Sequence, residues 1–587
     1  MKFKTFYTLI LAALCLMPLS GFGQNPARFS AEAKAETQSR AVMGNIGDVN
    51  QDGNVNVMDV TQLINIILGQ SEAASVYGSL TADINGDGNT NVLDVTQLIN
   101  IILGNGVSQE AFNTFVNRMF TSMQVAHWTT TGNTHQCFGI SAYNLTAEVM
   151  GDDMIMAAQG SGWFYYDASY NVKSLFDRTT WRPYDLWNAY YTWIGNANYL
   201  IQIMPEAPVD NAQKNYLLGQ AHALRAYSYF MLSQWFARTY KGHENEPCVP
   251  IFDGLFFDIN KSTGAPRSTV AQIYAYILND IAQAQSLLQG TTQQSPNHFS
   301  YATLLGIKAR VALVMEDWAT AEAAAEAAIA ASGKRIASVG EFDGLNNVNA
   351  PNVMWGAVIN EETPEQFLPF YAGLFGHMDT EAKYGAYGQY APKHITRALY
   401  NKMADTDTRR AWWDTESYYT QNYDCGYVQR KMRFSNPDTC FGDYVWMRVE
   451  EMYLTAAEAE CMQSKNSEAT LHLLTLMSKR DPNYTCGKTG TSLGATTNVF
   501  TGSLREEIIL QRRIELWGEA GRVFDIKRLH QGFVRTEEEG WPLNLCLSDR
   551  PTDNPENYMW VLTIPKVEFD ANPNLNIETD QNPLEDE

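Results

Sequence analysis

No basic block interrupts this chain: Lys and Arg number 42 against 65 Asp and Glu, a net charge of -23 that disfavours nucleic acid or any other polyanion as partner. Cysteine is sparse, with 8 in 587 residues and no C-x-x-C spacing, so neither a dense disulfide framework nor a zinc site is indicated; Cys425 with Cys440 is the first pair to examine. Beyond the amino terminus no apolar run reaches the ~18 residues that span a bilayer. The 9 histidines lie scattered without H-E-x-x-H spacing, and G-x-S-x-G and Walker patterns are absent. The adjacent acids Asp152-Asp153 and Glu361-Glu362 read as solvated charge, because glycosidase carboxylates must face each other across a sugar. No catalytic residue is assigned, and the chain is expected not to be an enzyme.

What is present is a core-forming composition, 45% hydrophobic and 12% aromatic, with 14 Trp, 30 Tyr and 26 Phe. Tyr and Trp join an apolar ring to a polar handle, which suits carbohydrate: C-H faces stack on rings while hydroxyls need donors and acceptors. The amino terminus, MKFK followed by an apolar run and Gly21-Phe22-Gly23-Gln24, reads as a secretory signal peptide over residues 1–23, followed by a linker over 24–43. Cys15 is a weak lipobox candidate, since Leu14 stands where a small residue is expected; ordinary cleavage and lipid anchoring are both open.

A repeat occupies residues 44–106. Asp48, Asn50, Asp52, Asn54, Asn56 and Asp59 recur 35 residues later as Asp83, Asn85, Asp87, Asn89, Asn91 and Asp94, each set followed by an identical DVTQLINIILG segment. Oxygen donors at loop positions 1, 3, 5, 9 and 12, a carbonyl at 7 (Asn54, Asn89) and Gly53 or Gly88 at the turn can wrap a hard cation, so two calcium ions are expected. Val60, Leu63, Ile64 and Ile67 form a helical stripe expected to pack on Val95, Leu98, Ile99 and Ile102. Ile66 and Ile101 lie off it, free to contact a partner or to pack on the main body. With seven acids and no Lys or Arg between Gly44 and Gly104, the unit should depend on its metal for order. Position 12 is Asp and no helix precedes either loop; the segment resembles the type I dockerin module, a small all-α duplicated loop-helix (F-hand) unit. The resemblance implies a cohesin-like protein partner.

From residue 107 to 587 helical periodicity dominates. Residues 184–201 and 211–238 carry apolar stripes, and 301–315 with 319–331 form a hairpin whose Ala309, Ala321, Ala324 and Ala328 permit close approach, as in tetratricopeptide pairs. In Arg505-Glu506-Glu507 and Arg512-Arg513-Ile514-Glu515, opposite charges at three- and four-residue spacing favour a helix with Leu510, Ile514 and Trp517 buried. Arg225, Arg448, Glu458, Arg513, Glu519, Arg522 and Asp525 read as structural ion pairs. The phrases GQAHALRAYSYFMLSQWFAR, YVWMRVEEMYLTAAEAECM, REEIILQRRIELWGEAGRVFDIKRL and LTIPKVEFDANPNL with DQNP follow in an order that resembles the SusD-like (RagB/SusD) family of surface glycan-binding proteins. The resemblance implies a mainly α fold on a tetratricopeptide-like helical-hairpin scaffold with irregular loops. It also implies an outer-membrane location and delivery of oligosaccharide to a TonB-dependent SusC-like transporter. Ile564-Pro565 and Asn572-Pro573 mark an extended tail laid over the body.

Stacking on sugars needs exposed rings on loops held by a rigid frame. Two segments fit: 160–167, with Trp163, Phe164, Tyr165 and Tyr166, and 367–390, with Phe370, Tyr371, Phe375, Tyr384, Tyr387 and Tyr390 interleaved with glycines; Trp412 and Trp413 follow. Beside the nutrient-binding reading stand two others, a structural adaptor of a glycan-degrading assembly without its own sugar site, and, with least support, a glycoside hydrolase.

Overall fold

The computed structural model describes residues 109–584, except 125–133, 158–162, 172–174, 178, 253–263, 361–372, 382–386, 437, 439–440 and 520, together with residues 49, 59, 60, 62, 63, 66, 94 and 98 of the repeat. The leader with Cys15, the linker and most of the calcium-loop residues lie outside the described residues.

The body is built on successive helical hairpins. Its long helices are α1 (Gln109–Thr121), α2 (Ile140–Val149), α3 (Trp181–Ile203), α4 (Asn211–Phe236), α5 (Val270–Leu288), α6 (Tyr301–Met315), α7 (Trp318–Ser332), α8 (Val449–Met462), α9 (Asn466–Met477) and α10 (Leu504–Glu515), followed by the short α11 (Arg522–Arg528). Neighbours in sequence pack against one another, α3 on α4, α4 on α5, α6 on α7 and α8 on α9, and α7 also packs on α8 across the intervening loops. Local chemistry sets the starts: Asp210 accepts from Gln213 N at 2.9 Å, Ser300 from Thr303 N at 3.0 Å and Ser503 from Glu506 N at 3.1 Å. Thr269 and Gln272 form a reciprocal capping box at the head of α5. The turn between α6 and α7 is made by Glu316 at φ 57 and the Asp317 cap. Ala309, Ala321, Ala324 and Ala328 are all buried where α6, α7 and α8 approach, as their size requires.

Small sheets fill the loops. Strands β1 (Met154–Met156), β2 (Pro247–Pro250), β3 (Arg267–Thr269), β4 (Val353–Ala357), β5 (Lys393–Ile395), β6 (Trp413–Asp414), β7 (Tyr427–Gln429) and β8 (Tyr444–Arg448) give a four-stranded antiparallel sheet ordered β1-β5-β7-β6 and the pairs β2-β3 and β4-β8. Residues 564–582 pack over α3 and α4. Glu568 accepts from Trp187 Nε1 at 3.2 Å, and Asn582 Nδ2 donates to Phe236 O at 2.9 Å and Leu562 O at 2.7 Å. This tail contains one helical stretch, Lys566–Ala571, where an extended strap was expected.

Beside its apolar packing the interior carries a network of buried ion pairs. Glu515, fully buried at the end of α10, accepts from Arg480 Nε and Nη2 at 2.8 Å each and from Arg448 Nη1 at 3.1 Å, with Arg409 Nη1 at 3.5 Å. Arg448 also binds Glu519, Arg528 binds Glu458, Arg512 binds Asp525, and Arg225 binds Asp280. One expectation is corrected here. Asp152 and Asp153 are buried, not solvated: Arg513 Nη2 lies 2.6 Å from Asp153 and Arg522 Nε 2.7 Å from Asp152, guanidinium partners that offset the cost of taking the two carboxylates out of water. The helix expected from the charges of Arg505 to Glu515 forms as α10; past it Gly518 and Gly521, at φ 81 and 76, turn the chain before α11, and Asp525 of α11 pairs with Arg512 of α10 and with Arg528, while Arg505 reaches Glu458 on α8. Cys425 is a buried free thiol whose Sγ lies 3.3 Å from His394 Nδ1, so the pairing with Cys440 is not formed.

Two predictions follow from these ions. Glu515→Gln should cost about 3–5 kcal/mol in urea denaturation, because the Arg409, Arg448 and Arg480 cluster loses a buried counter-charge; an unchanged midpoint would contradict the role assigned to Glu515. Burial alone would raise the Glu515 and Asp525 carboxyls, but Arg480, Arg448 and Arg409 around the first, and Arg512 and Arg528 around the second, hold both well below the usual range. Acids depressed in the folded state stabilise it above their unfolded pKa of about 4, and that stability drains as pH falls further. Burial pushes Glu148 up to about 7 and Asp185 up to about 6, which relieves the fold as pH drops from 7. Burial also holds His298 and His394 down at about 4, which costs stability as pH falls through the ordinary histidine value, so the two trends oppose between about pH 7 and 5, and thermal melting should show its steep loss of stability below about 4.

Candidate functional site

The two ring-bearing segments converge. In the first, Phe164 adopts a left-handed conformation, φ 71, which turns its ring inward against His377 and leaves Trp163, Tyr165 and Tyr166 on the outer side. The loop is clamped from beneath. Arg182, buried, donates through Nε and Nη2 to Asp167 at 3.0 and 2.9 Å and through Nη1 to Gln136 O at 3.0 Å, while Gln136 Oε1 accepts from Phe164 N at 2.7 Å. A buried bidentate guanidinium fixes a loop more firmly than packing alone.

In the second segment Tyr387 opens a short helix, Tyr387–Tyr390. Gly388 lets this helix lie on the Asp379 backbone, since a Cβ there would meet Asp379 O at 2.4 Å. Tyr387 stands edge-on to Trp163 with ring centroids 5.3 Å apart, and the His135 imidazole bridges them, hydrogen-bonded through Nδ1 to the Tyr387 hydroxyl and 5.0 Å from the Trp163 ring. Behind them His377 stacks on Tyr387 at 5.1 Å and on Phe138 at 5.4 Å, its Nε2 donating to His135 O at 2.6 Å. Burial holds His377 well below the ordinary histidine value, and lowers His135 too, so both imidazoles are neutral at physiological pH. Trp163 and Tyr387 are half-buried, with their rings supported on a neutral aromatic bed.

Tyr166 is 52% exposed and edge-on to Tyr165, whose hydroxyl accepts from Asn544 Nδ2 at 2.8 Å. Three of the expected platform rings are corrected. Phe375, Trp412 and Trp413 are only 2, 4 and 4% exposed, Phe375 against Phe434 and Tyr444, Trp413 against Trp517, and Trp412 against Phe342 with Lys431 over its face. They are core residues: Phe375 lies on a short buried helix, Trp412 ends a 3-10 turn and Trp413 opens β6, and all three rings pack against interior side chains. Tyr384 lies outside the described residues.

Tyr390, the last ring of the second segment, is 70% exposed. Another aromatic set escaped the sequence reading: Tyr418, 69% exposed, shares with Tyr419 and Tyr423 a short helix capped by Ser417, with Tyr419 edge-on to Tyr418 at 5.4 Å and stacked with Tyr423 at 6.5 Å. Burial and then the neighbouring phenols of Tyr423, Tyr418 and Tyr390 raise the Tyr419 hydroxyl. The run Tyr-Tyr-Thr-Gln-Asn-Tyr was its signal: three rings in a polar hexapeptide have no apolar face to complete. By contrast, a cavity of about 210 Å3 lined by Gln293, Gln294, Lys334 and Asn349 offers no ring face, since its Trp355 is buried and donates Nε1 to Asn297 O.

In the repeat, Asp59 and Asp94 are fully buried in helical residues, and Leu63 and Leu98 of the two stripes are buried with them. Carboxylates at loop position 12 that face inward are what a central cation requires. Ile66 is half-buried.

Comparison with known proteins agrees with this architecture. A dockerin type I domain model matches residues 46–103. A SusD-like model described as starch-binding associating with outer membrane matches 111–313, and a SusD family model matches 370–584. The SusD-like protein P38 of Formosa agariphila is 31% identical over 146 residues, which are 25% of this chain and 26% of that protein, so the match spans about a quarter of that relative. Among solved structures, a SusD-like carbohydrate binding protein from Bacteroides vulgatus superposes with a TM-score of 0.65 at 22% identity, covering 79% of this chain and 96% of that one. A SusD superfamily protein from Bacteroides thetaiotaomicron gives 0.64 at 21% identity, covering 80% and 98%. The surface glycan-binding protein A of Bacteroides uniformis gives 0.59 at 17%, covering 81% and 100%. With a helical-hairpin body matched by SusD models along most of its length and a dockerin type I repeat before it, the chain belongs to the SusD-like family.

Proposed function

We propose that the protein binds oligosaccharide at the cell surface without cleaving it and delivers it to a SusC-like TonB-dependent transporter. The observation that carries this reading is the convergence of Trp163 and Tyr387 on a rigid bed, bridged by His135, with the exposed Tyr166, Tyr390 and Tyr418 as further rings. Ring faces held by buried hydrogen bonds lose little side-chain entropy when a pyranose stacks on them. Asp152 and Asp153, the adjacent acids nearest to a glycosidase pair, are spent on Arg513 and Arg522, which supports binding over hydrolysis. The SusD-like carbohydrate-binding neighbour and the starch-binding family description point the same way.

The repeat is proposed to bind two calcium ions through Asp48, Asn50, Asp52, Asn54, Asn56 and Asp59 and through Asp83, Asn85, Asp87, Asn89, Asn91 and Asp94, and then a cohesin-like protein. Calcium would supply the positive charge that lets these carboxylates share a core; the chain's own contribution is the buried Asp59 and Asp94, with Leu63 and Leu98 buried as well. The domain order proposed is leader 1–23, linker 24–43, repeat 44–106 and binding body 107–587, with the anchor either lipid on Cys15 or non-covalent through the repeat.

In calorimetry against starch-type and other oligosaccharides, Trp163→Ala and Tyr387→Ala should each weaken binding by about 1–3 kcal/mol, and Tyr418→Ala by less, with the melting temperature of Tyr418→Ala within about 2 °C of the parent. Equal affinity in all three variants would remove the platform. Chelation of calcium should leave sugar affinity unchanged while abolishing capture of a cohesin-like partner and loosening the repeat to protease; sugar binding that vanishes with chelator would show instead that the site spans both units.

A further inference from the structure

Far from the rings, three metal-binding side chains meet where α7, α8 and α9 pack. One ligand atom each from Glu326 on α7, Glu460 on α8 and His472 on α9 lies within 4.8 Å of the other two. Glu460 is 2% exposed, and its Oε2 takes a 2.8 Å hydrogen bond from His472 Nδ1; among the described residues no donor reaches its other oxygen. Glu326 makes no hydrogen bond there, and its charge is felt at His472 and Lys465. Lys465, the neighbouring cation, is committed to both oxygens of Glu322 at 2.7 and 2.5 Å. Two carboxylates thus face one imidazole with a single hydrogen bond among them, one carboxylate being buried.

We propose that Glu326, Glu460 and His472 bind a transition-metal dication, zinc by the donor set, which ties the three helices together. One imidazole nitrogen and two carboxylate oxygens suit a borderline ion; calcium takes oxygen alone. Metal–ligand bonds near 2 Å place tetrahedral ligand atoms about 3.3 Å apart, so the cluster must contract, and Glu326, exposed and on a flexible stem, is the group free to move. Binding displaces the shared proton from His472 to solvent and leaves a neutral centre, with a fourth position for water. The site is unrelated to the calcium loops, which lack nitrogen donors.

The test is calorimetric titration of the full chain with zinc chloride in excess calcium, so that the repeat is filled beforehand. One zinc is expected per chain, with a rise in melting temperature, and Glu326→Gln and His472→Gln should each weaken it at least about tenfold. Glu326→Gln changes an exposed side chain and should keep the parent circular dichroism, so its loss of affinity reads the site rather than the fold. No zinc uptake by the parent chain, or equal uptake by parent and both variants, would overturn the proposal.

Discussion

The body depends on pairing buried arginines with buried carboxylates. Arg182, Arg409, Arg448 and Arg480 are among the largest side chains fully removed from water, and each would be intolerable there without its acid. These pairs link residues distant in sequence, so they fix which loop meets which helix. Glu515 joins the 409 turn, the end of β8 and the loop after α9 into one node, while Asp167 and Arg182 seat the ring-bearing loop on α3. Apolar packing makes the hairpins; ion pairs make them one particular body.

Hairpin helices were legible in the chain because their signals are local. The helices at 211–236 and 301–315 begin at Asp210 and Ser300, and the alanine stripe of α7 shows how closely it sits on its neighbours. The break in the 505–529 segment was not legible. Its periodicity continues through Gly518 and Gly521, and only the tertiary pull of Glu148, which accepts from the backbone N–H of both glycines, turns the chain there. Burial of Asp152 and Asp153 was hidden for the same reason: their guanidinium partners lie some 360 residues away.

The ring platform was half legible. Aromatic density in polar, glycine-bearing stretches identified the loops that carry Trp163 and Tyr387, yet density cannot tell which side of a strand a ring occupies, and Phe375, Trp412 and Trp413 proved to be core. Tyr418 was passed over because its hexapeptide sits between strands that pair only in three dimensions. Position along the chain says which rings share a loop; orientation is settled by the backbone, as Phe164 shows by turning inward between two outward neighbours.

The tail bonded over α3 and α4 has a consequence for biosynthesis. Trp187 Nε1 and Phe236 O receive their partners from Glu568 and Asn582, more than three hundred residues later. A ribosome-bound chain therefore carries its earliest long hairpin uncovered until translation is nearly done. Closure of this seal is a long-range event that no stretch of the chain lacking its last residues can complete.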